Sequence, residues 1–136
     1  MANNTTAGGW FRRVVWIGIF ANLALALPTI AAPAQVIAMA NLPTATPDLW
    51  PRFAALLLVL LSVFYIPAGR DIDRHRITAW FTVLSRLTGV VFFMFEPAYR
   101  LFMYFDLFFL IPQATLLMLA IRSAAPASRA VGMSAV

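Results

Sequence analysis

Apolar residues gather into four long blocks, at about residues 12–31, 51–68, 77–96 and 100–122, with short polar or proline-containing stretches between them. Away from the block ends, only two charges interrupt this pattern, Arg86 and Asp106. A hydrocarbon core ~30 Å thick is crossed by roughly 17–25 apolar helical residues, and each block falls in that range. The pattern predicts an all-α polytopic membrane protein, a single-domain bundle of four transmembrane helices with flexible tails at 1–9 and 123–136. The first span is expected to break at Pro28. Between spans one and two, Pro33, Pro43 and Pro47 frame the short apolar run AQVIAMANL. That run is too short to cross and predicts a surface or re-entrant helix. Asp48 is the expected N-cap of the second span, with Pro51 in its first turn. Glu96-Pro97 closes the third span, because the residue before proline is pushed out of the helical region. Pro112 predicts a kink in the fourth.

Charge adds an orientation. All ten basic residues are arginine, against five acids, for a net charge of +5. Arg12, Arg13, Arg70, Arg74, Arg76, Arg122 and Arg129 fall on one side of the four-span layout, and only Arg52 and Arg100 on the other. The positive-inside rule then predicts a multi-pass protein of the bacterial inner membrane with both termini in the cytoplasm. Trp10 and Trp80 would mark the inner interface, and Trp50 and Tyr99 the outer one. The loop RDIDRHR reads as a solvated anchor on anionic headgroups. Lipid is thus the expected partner of the arginines, and a nucleic-acid role is not expected. One competing pattern exists: Arg12-Arg13, an apolar run to Leu27 and then Ala32-Pro33-Ala34 resemble a secretory signal. The run is long enough to span, so an uncleaved helix is the expectation.

Composition narrows the chemistry. The chain is 62% hydrophobic and 11% charged, with a mean hydropathy of +0.85, where soluble domains carry about 25% charge. It contains no cysteine, which excludes disulfides, thiolate metal sites and cysteine nucleophiles. A lone histidine, His75, cannot ligate a haem from both faces, and no metal site is expected. No glycine-rich phosphate loop or nucleophile elbow is present. No catalytic residue is predicted.

The remaining candidates are polar residues inside the spans. Arg86 lies near the middle of span three, where a charge costs about 2.5–3.5 kcal/mol on insertion scales and normally faces a partner inside the bundle. A hairpin turning at residue 97 sets Asp106 opposite position 89, about 4.5 Å of helix rise from Arg86. The two are expected to pair, with Ser85 and Gly89 forming a small-x-x-x-small face for close approach. Such a pair reads either as a pin fixing helix register or as a substrate, proton or anion site. Asn22 in span one and Gln113, on the Asp106 face of span four, could complete an intramembrane polar core; their plainer reading is interhelical hydrogen bonding. Glu96 reads as a surface partner of Arg100. The phenylalanines of spans three and four suit lipid and packing, and would also suit a flat apolar ligand such as a quinone or pigment.

The stretches WPRFAALLLVLLSVFYIPAGRDIDRHR, AWFTVLSRLTGVVFF and FDLFFLIPQATLL, with the opening ANLALALPTIAAPAQVIAMANLP, resemble small four-helix membrane proteins of the DoxX-like type over about residues 10–122. Arg86 and Asp106 are the polar positions that carry the likeness. The resemblance implies a four-helix bundle and hints at quinone-coupled redox chemistry, and it transfers no catalytic residue. With no catalytic set in view, and with so small a bundle offering little room for an enclosed site, the leading expectation is an accessory or structural subunit of a larger membrane assembly, or a homo-oligomer. The alternative is quinone-linked redox support or small-molecule transport centred on Arg86 and Asp106.

Overall fold

The computed structural model describes the backbone of residues 1–133 and the side chains of residues 1–124. Five α-helices follow one another: α1 (Thr6–Ala31), α2 (Pro33–Met39), α3 (Leu49–Arg70), α4 (Arg76–Met94) and α5 (Arg100–Met133). Four of them, all but α2, are long and apolar enough to cross a membrane. They close a ring in which α1 packs on α3, α3 on α4, α4 on α5 and α5 back on α1. The α3–α4 seam is the loosest of the four.

Each helix turns a narrow stripe inward. On α4 the buried residues are Ala79, Thr82, Val83 and Arg86, spaced as one helical face. On α3 they are Ala55, Ser62, Tyr65, Ala68 and Gly69. Large apolar residues such as Phe20, Leu60, Phe64, Phe92 and Phe108 face outward. Lipid tails are as apolar as leucine, so burying leucine does not drive these helices together; close packing of small residues and interhelical hydrogen bonds do. The interior is accordingly built from small and polar side chains, with Phe11, Tyr65, Ile72 and Leu117 filling the remaining volume.

The α1–α3 hairpin is fastened at both ends by the same device. The last carbonyls of a helix have no intrahelical donor, and in a membrane they must find one. Near the start of α1, Arg12 donates to the Arg70 carbonyl at 3.3 Å, and the Trp16 indole N–H donates to the Gly69 carbonyl at 3.1 Å. At the other end, Arg52 in the first turn of α3 donates to the Ile30 carbonyl near the end of α1. Trp16 can do this because residue 69 has no side chain: a Cβ there would lie 3.0 Å from the indole nitrogen.

Several details depart from expectation. α1 continues through Pro28 to Ala31, and the Pro28 carbonyl still accepts from the Ala32 N–H at 2.8 Å. A proline forfeits its own N–H and leaves later donors intact. Asp48 precedes α3 but its side chain makes no capping bond. The short helix between spans one and two is present as α2; it ends at Met39, and Asn41, just past the Ala40 cap, has a φ of 54°, the left-handed conformation asparagine tolerates after a helix C-terminus. α5 runs on to Met133, so the tail expected from residue 123 is helical that far; residues 134–136 lie outside the described residues. Among the described residues the only ion pair is Arg86–Asp106, so Glu96 and Arg100 do not pair.

The clearest correction concerns residues 1–9, expected as a flexible tail. Ala2–Asn4 form a 3-10 turn, and Thr5 caps α1 by accepting from the Gly8 N–H at 2.9 Å. Ala2 is buried against the core that contains Phe11, Ile72 and Ala120. Asp73, in the loop that joins α3 to α4, accepts from the backbone N–H groups of Ala2 and Asn3 at 3.0 and 3.1 Å. The Asn3 side chain donates to Asp71 and accepts from the Ile72 N–H at 2.8 Å. The loop read as a purely solvated anchor is therefore also a clasp for the N-terminus. Gly8 is required by the turn, because a Cβ there would collide with the Ala2 carbonyl. The backbone N–H of Arg74 and then the Asn3 amide hold the Asp71 carboxyl below its ordinary pKa. A lowered folded-state value contributes stability above the ordinary aspartate pKa of about 3.9, and that contribution is lost as pH falls through the folded value. Protection of residues 2–8 against hydrogen exchange, taken relative to the intrinsic rate at each pH, is therefore expected to be high at neutral pH and to be lost only below about pH 3.9. Fast exchange already at neutral pH would refute the clasp.

Candidate functional site: an intramembrane ion pair beside a cavity

Arg86 stands near the middle of α4 and is 3% exposed. Its Nη1 donates to Asp106 Oδ1 on α5 at 2.6 Å, and its Nη2 donates to Asn22 Oδ1 on α1 at 2.9 Å. The guanidinium also lies 5.0 Å from the centre of the Phe109 ring and 5.3 Å from that of Phe105. One side chain thus reaches both its neighbour α5 and, across the ring of helices, α1. A guanidinium suits this role because its fixed fork of donors can serve two acceptors at once, and its flat face tolerates aromatic neighbours.

Asp106 needs space on α4. A Cβ at residue 89 would collide with the second Asp106 oxygen, so only glycine admits the carboxylate there. Ser85, one turn earlier, faces α3 instead. Tyr65 and Ser85 share a hydrogen bond, and Ser85 donates to the Thr82 carbonyl at 3.0 Å. A serine hydroxyl has one proton, so Tyr65 is the donor to Ser85. The two small residues of α4 therefore receive different neighbours, Tyr65 from α3 and Asp106 from α5.

Of the four sequence candidates, Arg86, Asp106 and Asn22 come together. Gln113 is fully buried on the same face of α5 and borders the cluster: its Nε2 and Arg86 Nη2 both lie within 3.5 Å of the Cβ position at Gly18 on α1. Neither its amide nitrogen nor its amide oxygen has a partner among the described residues. Asn22 Nδ2 and Arg86 Nε are likewise unpaired. The interfacial set divides. Trp10 and Trp80 are exposed, with Arg13 stacked 4.8 Å over the Trp10 ring. Arg12 turns inward as a helix cap, and Arg70, Arg74 and Arg76 stay on the periphery near the clasp.

Next to the pair is a cavity of about 470 Å³, open to the molecular surface and not enclosed. Leu25, Ala26 and Thr29 of α1, Val36, Ile37 and Ala40 of α2, and Ala54, Ala55 and Leu58 of α3 form much of its wall. Phe102 and Phe105 of α5 close another side, and Arg86 and Asp106 are its only charged lining groups. Exposed Trp50 and Leu101 also line it, so it reaches the molecular surface. α2 matters here: the short helix packs back against α1 and walls the cavity at that end of the bundle. The volume is within the range of small-molecule sites, about 300–1,000 Å³, and the chemistry fits them too: an apolar wall with a few placed polar groups. Sequence reasoning missed the cavity, Tyr65 and Trp16.

Breaking one partner of a buried ion pair costs about 3–5 kcal/mol, more than replacing both, because the survivor is left as an uncompensated charge. Arg86→Gln is expected to lower unfolding stability by about that amount. The double variant Arg86→Leu/Asp106→Leu is expected to recover a large part of the loss. Reversible unfolding in mixed micelles checks this, and an additive double variant would show that the two side chains are not coupled.

No protein-family model, curated protein or solved structure matches this chain.

Proposed function

We propose that this protein is a membrane-embedded binding protein for a small, largely apolar molecule, seated in the α1–α2–α3–α5 cavity with a polar end at Arg86 and Asp106. The observation that carries this reading is the position of the sole charged groups of the cavity wall: a largely buried ion pair beside about 470 Å³ of apolar space. Apolar walls supply affinity, and a few buried polar groups supply orientation. In the bacterial inner membrane with both termini cytoplasmic, the orientation the arginine distribution favours, the cavity lies toward the periplasmic leaflet. Quinone-linked redox support, at which the DoxX-like resemblance hints, and small-molecule carriage both require such a site. The accessory-subunit role rests on the apolar outer surface, which lipid covers equally well, so the cavity makes small-molecule binding the better-supported reading.

Ala26 and Ala55 are buried residues of the cavity wall. Ala55→Phe is expected to fill the cavity while leaving Arg86, Asp106 and Asn22 unchanged. Protein purified in mild detergent and released into native mass spectrometry is expected to retain one apolar molecule per chain, and the Ala55→Phe protein to retain none. Equal retention by the two proteins, or none by either, would overturn the reading.

A further inference from the structure

The cavity is not walled equally on every side. At the end facing water it is covered by α2 and the segment that follows, with Val36, Ile37, Leu42 and Pro43 in its wall. The side between α3 and α4 is different. These helices meet through the Tyr65–Ser85 hydrogen bond and through the rings of Phe64 and Phe81, 5.3 Å apart. Both contacts lie in the half nearest the loop that joins the two helices. Continuing that antiparallel register away from the loop sets Leu58 across from about residue 90 and Ala55 across from about residue 93. There the space between the helices is cavity, lined by Ala54, Ala55 and Leu58 of α3 and by Phe93 of α4. Beyond Arg86, α4 buries no residue. It is held instead on its other flank, where the Phe93 ring lies 5.4 Å from that of Phe102 on α5. Ala54 is exposed although it lines the cavity, so the seam is open to the outside at that level. Ala54 and Leu58 follow Trp50 by about 6 and 12 Å of helix rise, which carries the opening from the interface down among the lipid tails.

We infer that the bound molecule comes from the bilayer: it enters sideways through the open α3–α4 seam, from the leaflet that holds Trp50 and Tyr99, and not from water. This rests on the binding reading above and adds the class of the ligand, a lipid-resident molecule whose hydrocarbon chain passes between Ala54 and Phe93. The walls of the passage are alanine, leucine and phenylalanine. A hydrocarbon chain crosses them without giving up a hydrogen bond, whereas a polar molecule arriving from water would have to shed its hydration.

The full-length protein would be placed in phosphatidylcholine nanodiscs that contain a trace of phosphatidylcholine with a diazirine halfway along one acyl chain. Light converts the diazirine into a species that alkylates carboxyl groups and nearby C–H bonds, and mass spectrometry maps the adducts. Asp106 lines the cavity and keeps 15% of its side-chain surface, so it is the deep reporter. Adducts at Asp106 are expected in the unaltered protein, lost in Ala54→Trp, which plugs the seam, and retained in Ala45→Trp, on the side facing water. Phe93→Ala, which widens the seam from α4, is expected to raise their yield, so the outcome does not hang on Ala54→Trp alone. Equal yields in all four proteins, or loss in Ala45→Trp with retention in Ala54→Trp, would overturn lateral entry. If Asp106 takes no adduct while native mass spectrometry still finds a bound molecule, lateral entry fails and the binding reading stands. If the native spectrum finds none either, both fail.

Discussion

The bundle is organised around one constraint: a guanidinium placed near the middle of a membrane-spanning helix has to be neutralised and hydrogen-bonded by other helices. Arg86 meets that constraint with Asp106 from α5 and Asn22 from α1. Three of the four spanning helices are thereby tied to a single group. Neighbouring features follow from it. Gly89 has to lack a side chain so that the carboxylate can reach α4, and Phe105 and Phe109 crowd the guanidinium with ring faces in place of water. Because apolar contact distinguishes poorly between helix and lipid, such a polar junction is what sets register among helices whose other surfaces are interchangeable.

The ends of the hairpin use arginine in a second way. Arg12 and Arg52 lie at opposite ends of the α1–α3 hairpin, and each donates to the unfinished carbonyls of the opposite helix. Counted on the sequence, both are interfacial charges. In the structure they are also the donors that helix C-termini lack. The α1–α3 pair is thereby locked at both ends, while α3 and α4 meet more loosely and share the Tyr65–Ser85 hydrogen bond. The cavity lies where this packing is incomplete, roofed by a helix too short to span.

Much of the fold was legible beforehand. Arginine and aspartate at a hairpin register of about three residues could be matched by helix rise alone, and they do pair. Gln113 shares their helix face and its amide nitrogen comes close to the guanidinium beside Gly18, yet it bonds to neither Arg86 nor Asp106. The N-terminal residues read as a polar tail since nothing local holds them; their partners, Asp71 and Asp73, lie some seventy positions away in sequence. Trp16 was hidden in an apolar run, its indole nitrogen without a visible acceptor until Gly69 was brought beside it.

By itself, the sequence determined what depends on composition and local spacing. Blocks of about twenty apolar residues must be helices that cross a bilayer, since only a helix satisfies its own backbone there. A charge within such a block must seek a partner inside the bundle. Tertiary structure decided everything that depends on which helix is next to which: the ring order, the second partner of Arg86, the mutual capping of α1 and α3, the clasp at the N-terminus, and the cavity. The physical reason is that outward-facing and inward-facing apolar residues look alike in sequence when the solvent is lipid, so the space left between helices is set by side-chain packing in three dimensions and by no local pattern.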